Sequence, residues 1–326
     1  MKKIISLLLV GVMIFSLSAC GDSGKKSDEE KKKAFKATEL VVGESHSVEE
    51  YADFSLFKIV TTKKVTGSMG DNIYYNNDAD GEVYVDLILD LQNTSAENIS
   101  TDELLELTAE GVNGTEYAAK LYAIETNEGT CVSAYEDIAP LTTVRLHCAV
   151  SVPETETALQ LLLKVENKKF SYDYTLGEMV RNAQTLTVGK EIMADDYAAL
   201  TLKKVFYTEK LEPTDTSSFY TYYDVDNAEN TYLVVNYALT NYQSTDKEAD
   251  SFASVKARYM DKYEYDGFVV VEDSDKQGFN NFAGIGPLEK GNVFCLIEVP
   301  KTVVTNDVEL TFVFHGQEYV YTHQAQ

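Results

Sequence analysis

The sequence predicts an all-β fold, two β-sandwich domains in tandem over 39–178 and 183–326. A signal segment at 1–19 and a flexible tether at 20–38 precede them. Three observations carry this reading. Apolar residues alternate with polar ones at a period of two, the mark of a strand with one face in a core. Turn residues punctuate about seven such runs per half, the pattern of a sandwich. The body is also written twice, at an offset that stays between 146 and 149 residues.

The repeat is legible residue by residue. Val42-Gly43 recurs as Val188-Gly189, and Tyr51, Phe54, Leu56 and Lys58 recur as Tyr197, Leu200, Leu202 and Lys204. Tyr74-Tyr75 recurs as Tyr222-Tyr223, and Tyr84 with Asn93 as Tyr232 with Asn241. Pro140-Leu141, Cys148 and Pro153 recur as Pro287-Leu288, Cys295 and Pro300, and Phe170 and Tyr172 as Tyr319 and Tyr321. An offset that steady over a whole domain is a tandem duplication, not a short solenoid repeat. The boundary near Gly177 to Ala183 is short, so the two domains should touch.

Taken in order, the leader comes first. Lys2 and Lys3 precede an apolar run from Ile4 to Phe15, broken by Ser6 and Gly11, and Ser18-Ala19 supply small residues for cleavage. The run is too short for a bilayer span, which needs about 20 residues. Leu17-Ser18-Ala19-Cys20 resembles the lipobox of bacterial lipoproteins. That resemblance implies that Cys20 becomes the acylated first residue of the mature chain, on the outer face of the cell membrane. The alternative is an ordinary cleaved signal and a secreted protein. From Gly21 to Thr38 apolar residues are scarce, so the segment cannot offset its chain entropy by burial and should be a flexible tether. Lys31, Lys32, Lys33 and Lys36 within it suit either an anionic lipid surface or plain solvation beside Asp28, Glu29 and Glu30.

Strands follow in each copy. In the first, the inward phase slips from Phe54 and Leu56 to Ile59, and the slip recurs from Leu200 and Leu202 to Val205, which predicts a β-bulge in both. Val83 to Leu91 and Leu146 to Val152 alternate cleanly, as do Leu233 to Leu239 and Val293 to Val299. Thr101 to Leu107 fits a short helix or a strand. Asn113-Gly114 predicts a hairpin turn of the primed type. Terminal hairpins are expected around Glu166-Asn167-Lys168 and His315-Gly316-Gln317. Tyr84 to Asn93, Pro140 to Pro153 and their copies resemble the telokin-like, immunoglobulin-like domains of unknown function in Gram-positive lipoproteins, related to an immunoprotective extracellular antigen fold. The resemblance covers the body twice. It implies immunoglobulin-like sandwiches and brings no catalytic residues.

Composition narrows the partners. The chain carries 28 basic and 53 acidic residues, a formal net charge of −25. The leader and tether hold 8 Lys against 4 acids, which leaves 20 basic and 49 acidic residues in the body, a net of −29. Such a body repels phosphate backbones, so nucleic acid is not expected as a partner. The 22 Tyr, with no Trp, suit half-buried strands.

Chemistry is sparse. His46, His147, His315 and His323 have no metal-ligand spacing, and His147 points away from Cys148 along one strand. Ser55-Leu56-Phe57-Lys58 matches a Ser-x-x-Lys string but lies on a strand without partner motifs. The glycines around Ser68 are wrongly spaced for a nucleophile elbow. Cys148 and Cys295 read as core residues in separate domains. A Cys131–Cys148 disulfide on adjacent strands is the alternative to two buried thiols. Asn76, Asp78 and Asp80 match the first half of a calcium loop, yet Leu87 stands where its last carboxylate belongs, so an ordinary acidic turn is favoured.

The expectation is therefore a non-catalytic binding or adhesion module with no cofactor, anchored to the membrane by its N-terminal lipid. Its partner is an unidentified extracellular protein, peptide or glycan. The alternative is an accessory subunit of a cell-envelope complex. Binding is expected at the domain junction or at loops, with Tyr75, Asp78, Tyr223 and Asp226 as the candidate residues. A cleft lined by converging polar side chains would reopen an enzymatic reading.

Overall fold

The chain's computed structural model describes residues 37–325 apart from Asp71, Cys131 and Asp261. The 1–19 leader, Cys20 and the tether to residue 36 lie outside the described residues. The fold is all-β. Among the described residues no helix is long and apolar enough to cross a membrane.

Each half wraps strands around its own core. In the first, Ala52–Thr62, Glu82–Asn93 and Thr143–Pro153 lie side by side and face Leu105–Gly111, Ala158–Val165 and Lys168–Thr175. Phe54, Leu56, Leu87, Leu89, Cys148, Val150, Leu161 and Phe170 fill the space between. In the second half, Ala198–Thr208, Asn230–Asn241 and Lys290–Pro300 face Ala253–Tyr259, Val308–Phe314 and Gln317–His323. Leu200, Leu202, Val235, Tyr237, Cys295, Ile297, Leu310 and Phe312 fill that core. Among the described residues no sheet mixes strands from before and after Asn182.

The repeated sequence signals produce repeated geometry. Both expected bulges are present: the register shifts between Leu56 and Lys58 and again between Leu202 and Lys204. The extra residues, Phe57 and Lys203, restore the inward phase for Ile59 and for Val205. Gly43 and Gly189 both sit at positive φ, +75° and +77°, and donate N–H bonds to Leu56 O and Leu202 O at 2.9 and 2.8 Å. The buried Asn93 amide donates to Glu97 O and Ile138 O at 2.9 and 2.8 Å. Asn241 does the same to Thr245 O and Ile285 O at 2.8 and 2.7 Å. Both asparagines satisfy loop carbonyls that burial would otherwise orphan. Leu141 and Leu288 each follow a proline at positive φ, the third position of a type II turn.

Where the copies differ, the cause is local. Glu116–Glu125 runs unbroken through both sheets of the first half, pairing with Leu105–Gly111 and then with Thr143–Pro153. This joins the sheets of the first half into a continuous 11-stranded sheet. In the second half the same stretch breaks at Gly267 into Tyr263–Asp266 and Phe268–Glu272. A Cβ on Gly267 would stand 2.7 Å from Cys295 Sγ, Ile297 Cγ1 and Leu296 O, so the break is a place of close backbone approach.

Three expectations take a sharper or different form. Thr101–Leu104 is helix and Leu105–Gly111 is strand, so each reading holds for part of that stretch. The Asn113-Gly114 hairpin is not a primed two-residue turn. Only Gly114 has positive φ, and its N–H donates to Gly111 O, which makes a type I turn closed by a glycine bulge. The Cys131–Cys148 bridge is not formed, because Cys148 is a free thiol buried in the core. The strand from Val132 and the strand of Cys148 flank Glu116–Glu125 on opposite sides, so they are not adjacent. Cys131 itself lies outside the described residues.

Candidate functional site at the junction

The junction is built from the segment that links the copies. Val180–Arg181 pairs with Ile59 and Lys58 as a short strand of the first half, so the first sandwich reaches past 178. Ala183–Thr185 then pairs in parallel with Gln317–His323. Only Asn182 lies between, and its N–H donates to Phe57 O at 2.7 Å. A connection this short leaves no slack.

A cleft of about 250 Å³ lies here, lined from both halves. The chain has three arginines, Arg145, Arg181 and Arg258, and all of them line it. Arg145 stacks 3.6 Å above the Phe57 ring, pairs with Asp90 at 2.9 Å and donates across the junction to Gly316 O. Lys58 of the first half pairs with the buried Glu318 of the second at 2.6 Å. Arg181 reaches Glu309 at 2.6 Å and Thr311 at 2.9 Å. Planar guanidinium groups that hold two partners at once suit a polar interface of this kind.

At the floor sits His147, buried, with Nδ1 2.8 Å from Asp86. Its Nε2 faces Glu125 at 3.6 Å, and Ser68 donates to the other oxygen of Glu125. Burial pushes the His147 pKa down, but Asp86 and Glu125 outweigh it and hold the imidazole up at about 9. Burial works against the Glu125 charge, while the nearby His147 imidazole and the Ser68 hydroxyl lower its pKa on balance. Near neutral pH His147 is therefore an imidazolium. It cannot take a proton from Ser68, which is bonded to a carboxylate and not to the ring. The polar side chains converge as ion pairs, His147 with Asp86 and Glu125, Arg145 with Asp90 and Arg181 with Glu309.

The candidate residues from the repeat fall elsewhere. Tyr75 packs on Val65, Leu121 and Ala123, and its hydroxyl accepts the Ala134 N–H at 3.2 Å. Tyr223 packs between Phe268 and Phe279, with centroids at 5.3 and 6.0 Å. Both rings cover the outer face of a sheet. Their neighbours Tyr74 and Tyr222 are the exposed ones, each under a lysine, Lys64 at 3.8 Å and Lys210 at 4.0 Å. Asn76, Asp78, Asp80 and Asp226 are exposed. Among the described residues no group of His, Cys, Asp or Glu side chains is arranged to hold a metal. Asn77 instead closes the first acidic loop through Ala79 N–H and Ser151.

The sequence points to the junction but not to the residues that line its cleft. Their signal was the placement of Asp86, Asp90, Arg145 and His147 on the phase opposite the core residues, where polar side chains pass for solvated ones.

Fold and junction define an all-β protein whose two halves each wrap strands around a core of their own. No protein-family model and no curated protein matches the chain. Among solved structures, an uncharacterised β-sandwich protein from Clostridium difficile 630 is 26% identical, with a TM-score of 0.42, over 45% of this chain and 98% of that one. Bovine butyrophilin matches at 11% identity and a TM-score of 0.19, over 74% of this chain and 91% of that one.

Proposed function

We propose that this chain is a non-catalytic binding or adhesion lipoprotein, held on the outer face of the cell membrane by an acyl group on Cys20. The resemblance to Gram-positive lipoproteins with telokin-like domains belongs to the same reading. One observation carries it: the ionisable groups that converge in the cleft are spent on each other and on docking the two copies. The junction is thus a brace that presents the loops of both sandwiches as one body, and the loops are left to meet a partner. The leader, ending in Leu17-Ser18-Ala19-Cys20, supplies the address. Cys20→Ala tests the anchor. The variant should leave the membrane fraction or persist as a longer precursor. Fractionation and migration identical to the wild type would remove the lipid anchor from the proposal.

A further inference from the structure

The two copies also diverge in the loop that leads to the repeated Tyr-Tyr. In the first copy this loop turns into the junction, where Ser68 bonds Glu125 and Met69 N–H donates to Gly129 O at 2.7 Å. In the second copy it spans 212–222 and stands on the open side of the sheet. It is held in shape there. Asp215 and Thr221 donate N–H bonds to Lys276 O and Gln277 O at 2.8 and 2.9 Å. Thr214 bonds Glu272 through its N–H and its hydroxyl, at 2.7 and 2.6 Å. A loop so anchored nevertheless leaves Phe219 88% exposed and Tyr222 49% exposed. Burying such a ring would stabilise the fold, so the fold forgoes a gain by holding it out.

The loop already binds one ammonium group. Lys210 Nζ lies 4.0 Å from the Tyr222 centroid and 5.7 Å from that of Tyr220. The same ammonium is 2.6 Å from Glu212, to which the Tyr220 hydroxyl donates at 3.1 Å. Aromatic faces with a carboxylate beside them attract cations. The surroundings extend that preference. Glu209, Glu212, Asp215, Asp224, Asp226 and Glu229 lie in or beside the loop, and they outnumber the lysines paired with them, Lys210 on Glu212 and Lys301 on Glu209.

We propose that the 212–222 loop docks a cationic peptide segment of a protein partner, with lysine or arginine side chains seated on Tyr222 and Phe219 and the flanking carboxylates neutralising them. This rests on the binding-module reading and names its site and the chemistry of its partner. A neutral glycan matches the rings but gives the acids no role.

Calorimetry on the full-length chain in neutral detergent tests the proposal, with a short Lys-Gly repeat peptide, its Glu-Gly counterpart and a neutral oligosaccharide as probes. The decisive variant is Phe219→Ser with Tyr222→Ser, which leaves the net charge unchanged. The Lys-Gly peptide should bind the wild type and lose about tenfold in affinity to this variant, at a similar melting temperature. Asp226→Asn with Glu229→Gln should weaken the same peptide and flatten its salt dependence. Equal affinity for wild type and ring variant would reduce the effect to the acidity of the whole chain and overturn the proposal. So would oligosaccharide binding that the ring variant loses while the peptide shows none. A partner cross-linked on intact membranes equally by wild type and ring variant would keep the binding reading and discard this loop.

Discussion

At the scale of single residues, His147 is the informative group. The second copy carries Phe294 at the matching position and Val234 where the first has Asp86. Both are buried, so the same sheet tolerates an apolar pair there. A buried ion pair is often no more stabilising than well-packed apolar residues, whereas removing one partner is costly. His147→Phe alone should destabilise the fold by about 3 kcal/mol or more. Adding Asp86→Val should recover much of that loss, as read by denaturant unfolding. The pH dependence has a definite sign. The folded pKa, about 9, lies above the unfolded value of ~6.5. The contribution of His147 is therefore complete below about pH 6.5 and is lost as pH rises through about 9. The melting temperature of the wild type should fall across that window. That of the double variant should fall less, and parallel curves would show that His147 is not charged in the folded state.

At the scale of elements, the duplication gives an internal control. Asn93 and Asn241 make the same two carbonyl contacts in the two halves. Replacing either by Ala leaves buried carbonyls unpaired, at about 1–3 kcal/mol each. Asn93→Ala and Asn241→Ala should cost similar amounts in thermal or chemical melts. A large effect in one half and none in the other would contradict equivalent roles. The strands, the paired bulges and these asparagines were legible because a buried face writes itself into the sequence at period two, and because each signal appears twice. What stayed illegible was the second face. Asp86, Arg145 and His147 occupy outward positions, and only the docking of the other half turns them inward. The adjacent tyrosines failed for a related reason. Tyr74 and Tyr75 are chemically alike, and nothing local says which ring lies on the sheet. The structure turns Tyr75 and Tyr223 down and leaves Tyr74 and Tyr222 out. Ala substitution of Tyr75 or Tyr223 should therefore lower stability, which makes those two poor probes of binding.

At the scale of the whole molecule, the junction is head to tail: the outer face of the first half's Glu82–Asn93 sheet meets the outer face of the second half's Val308–Phe314 sheet. A head-to-tail contact between repeated units can in principle propagate from chain to chain. Here the repeat has been altered against that. The counterpart of Glu318 in the first half is Lys169, and the counterpart of Lys58 in the second is Lys204. The pair that closes the junction at 2.6 Å would become two lysines in a contact between molecules. Arg145 is replaced by Asn292, which bonds within its own sheet to Glu272 at 2.8 Å. The two halves are thus complementary in one order only, and Lys58–Glu318 should couple them. Glu318→Lys should be the more damaging single reversal, since Glu318 also lies 3.7 Å from Arg181. Lys58→Glu should be milder, because Lys58 keeps more access to water. Combined, the reversals should restore part of the loss, with a coupling of about 1–3 kcal/mol. Melting curves and protease cleavage across 176–183 read both quantities. Strictly additive losses would mean that the copies are held by the short linker and Arg145 alone, with Lys58 and Glu318 as neighbours that do not interact.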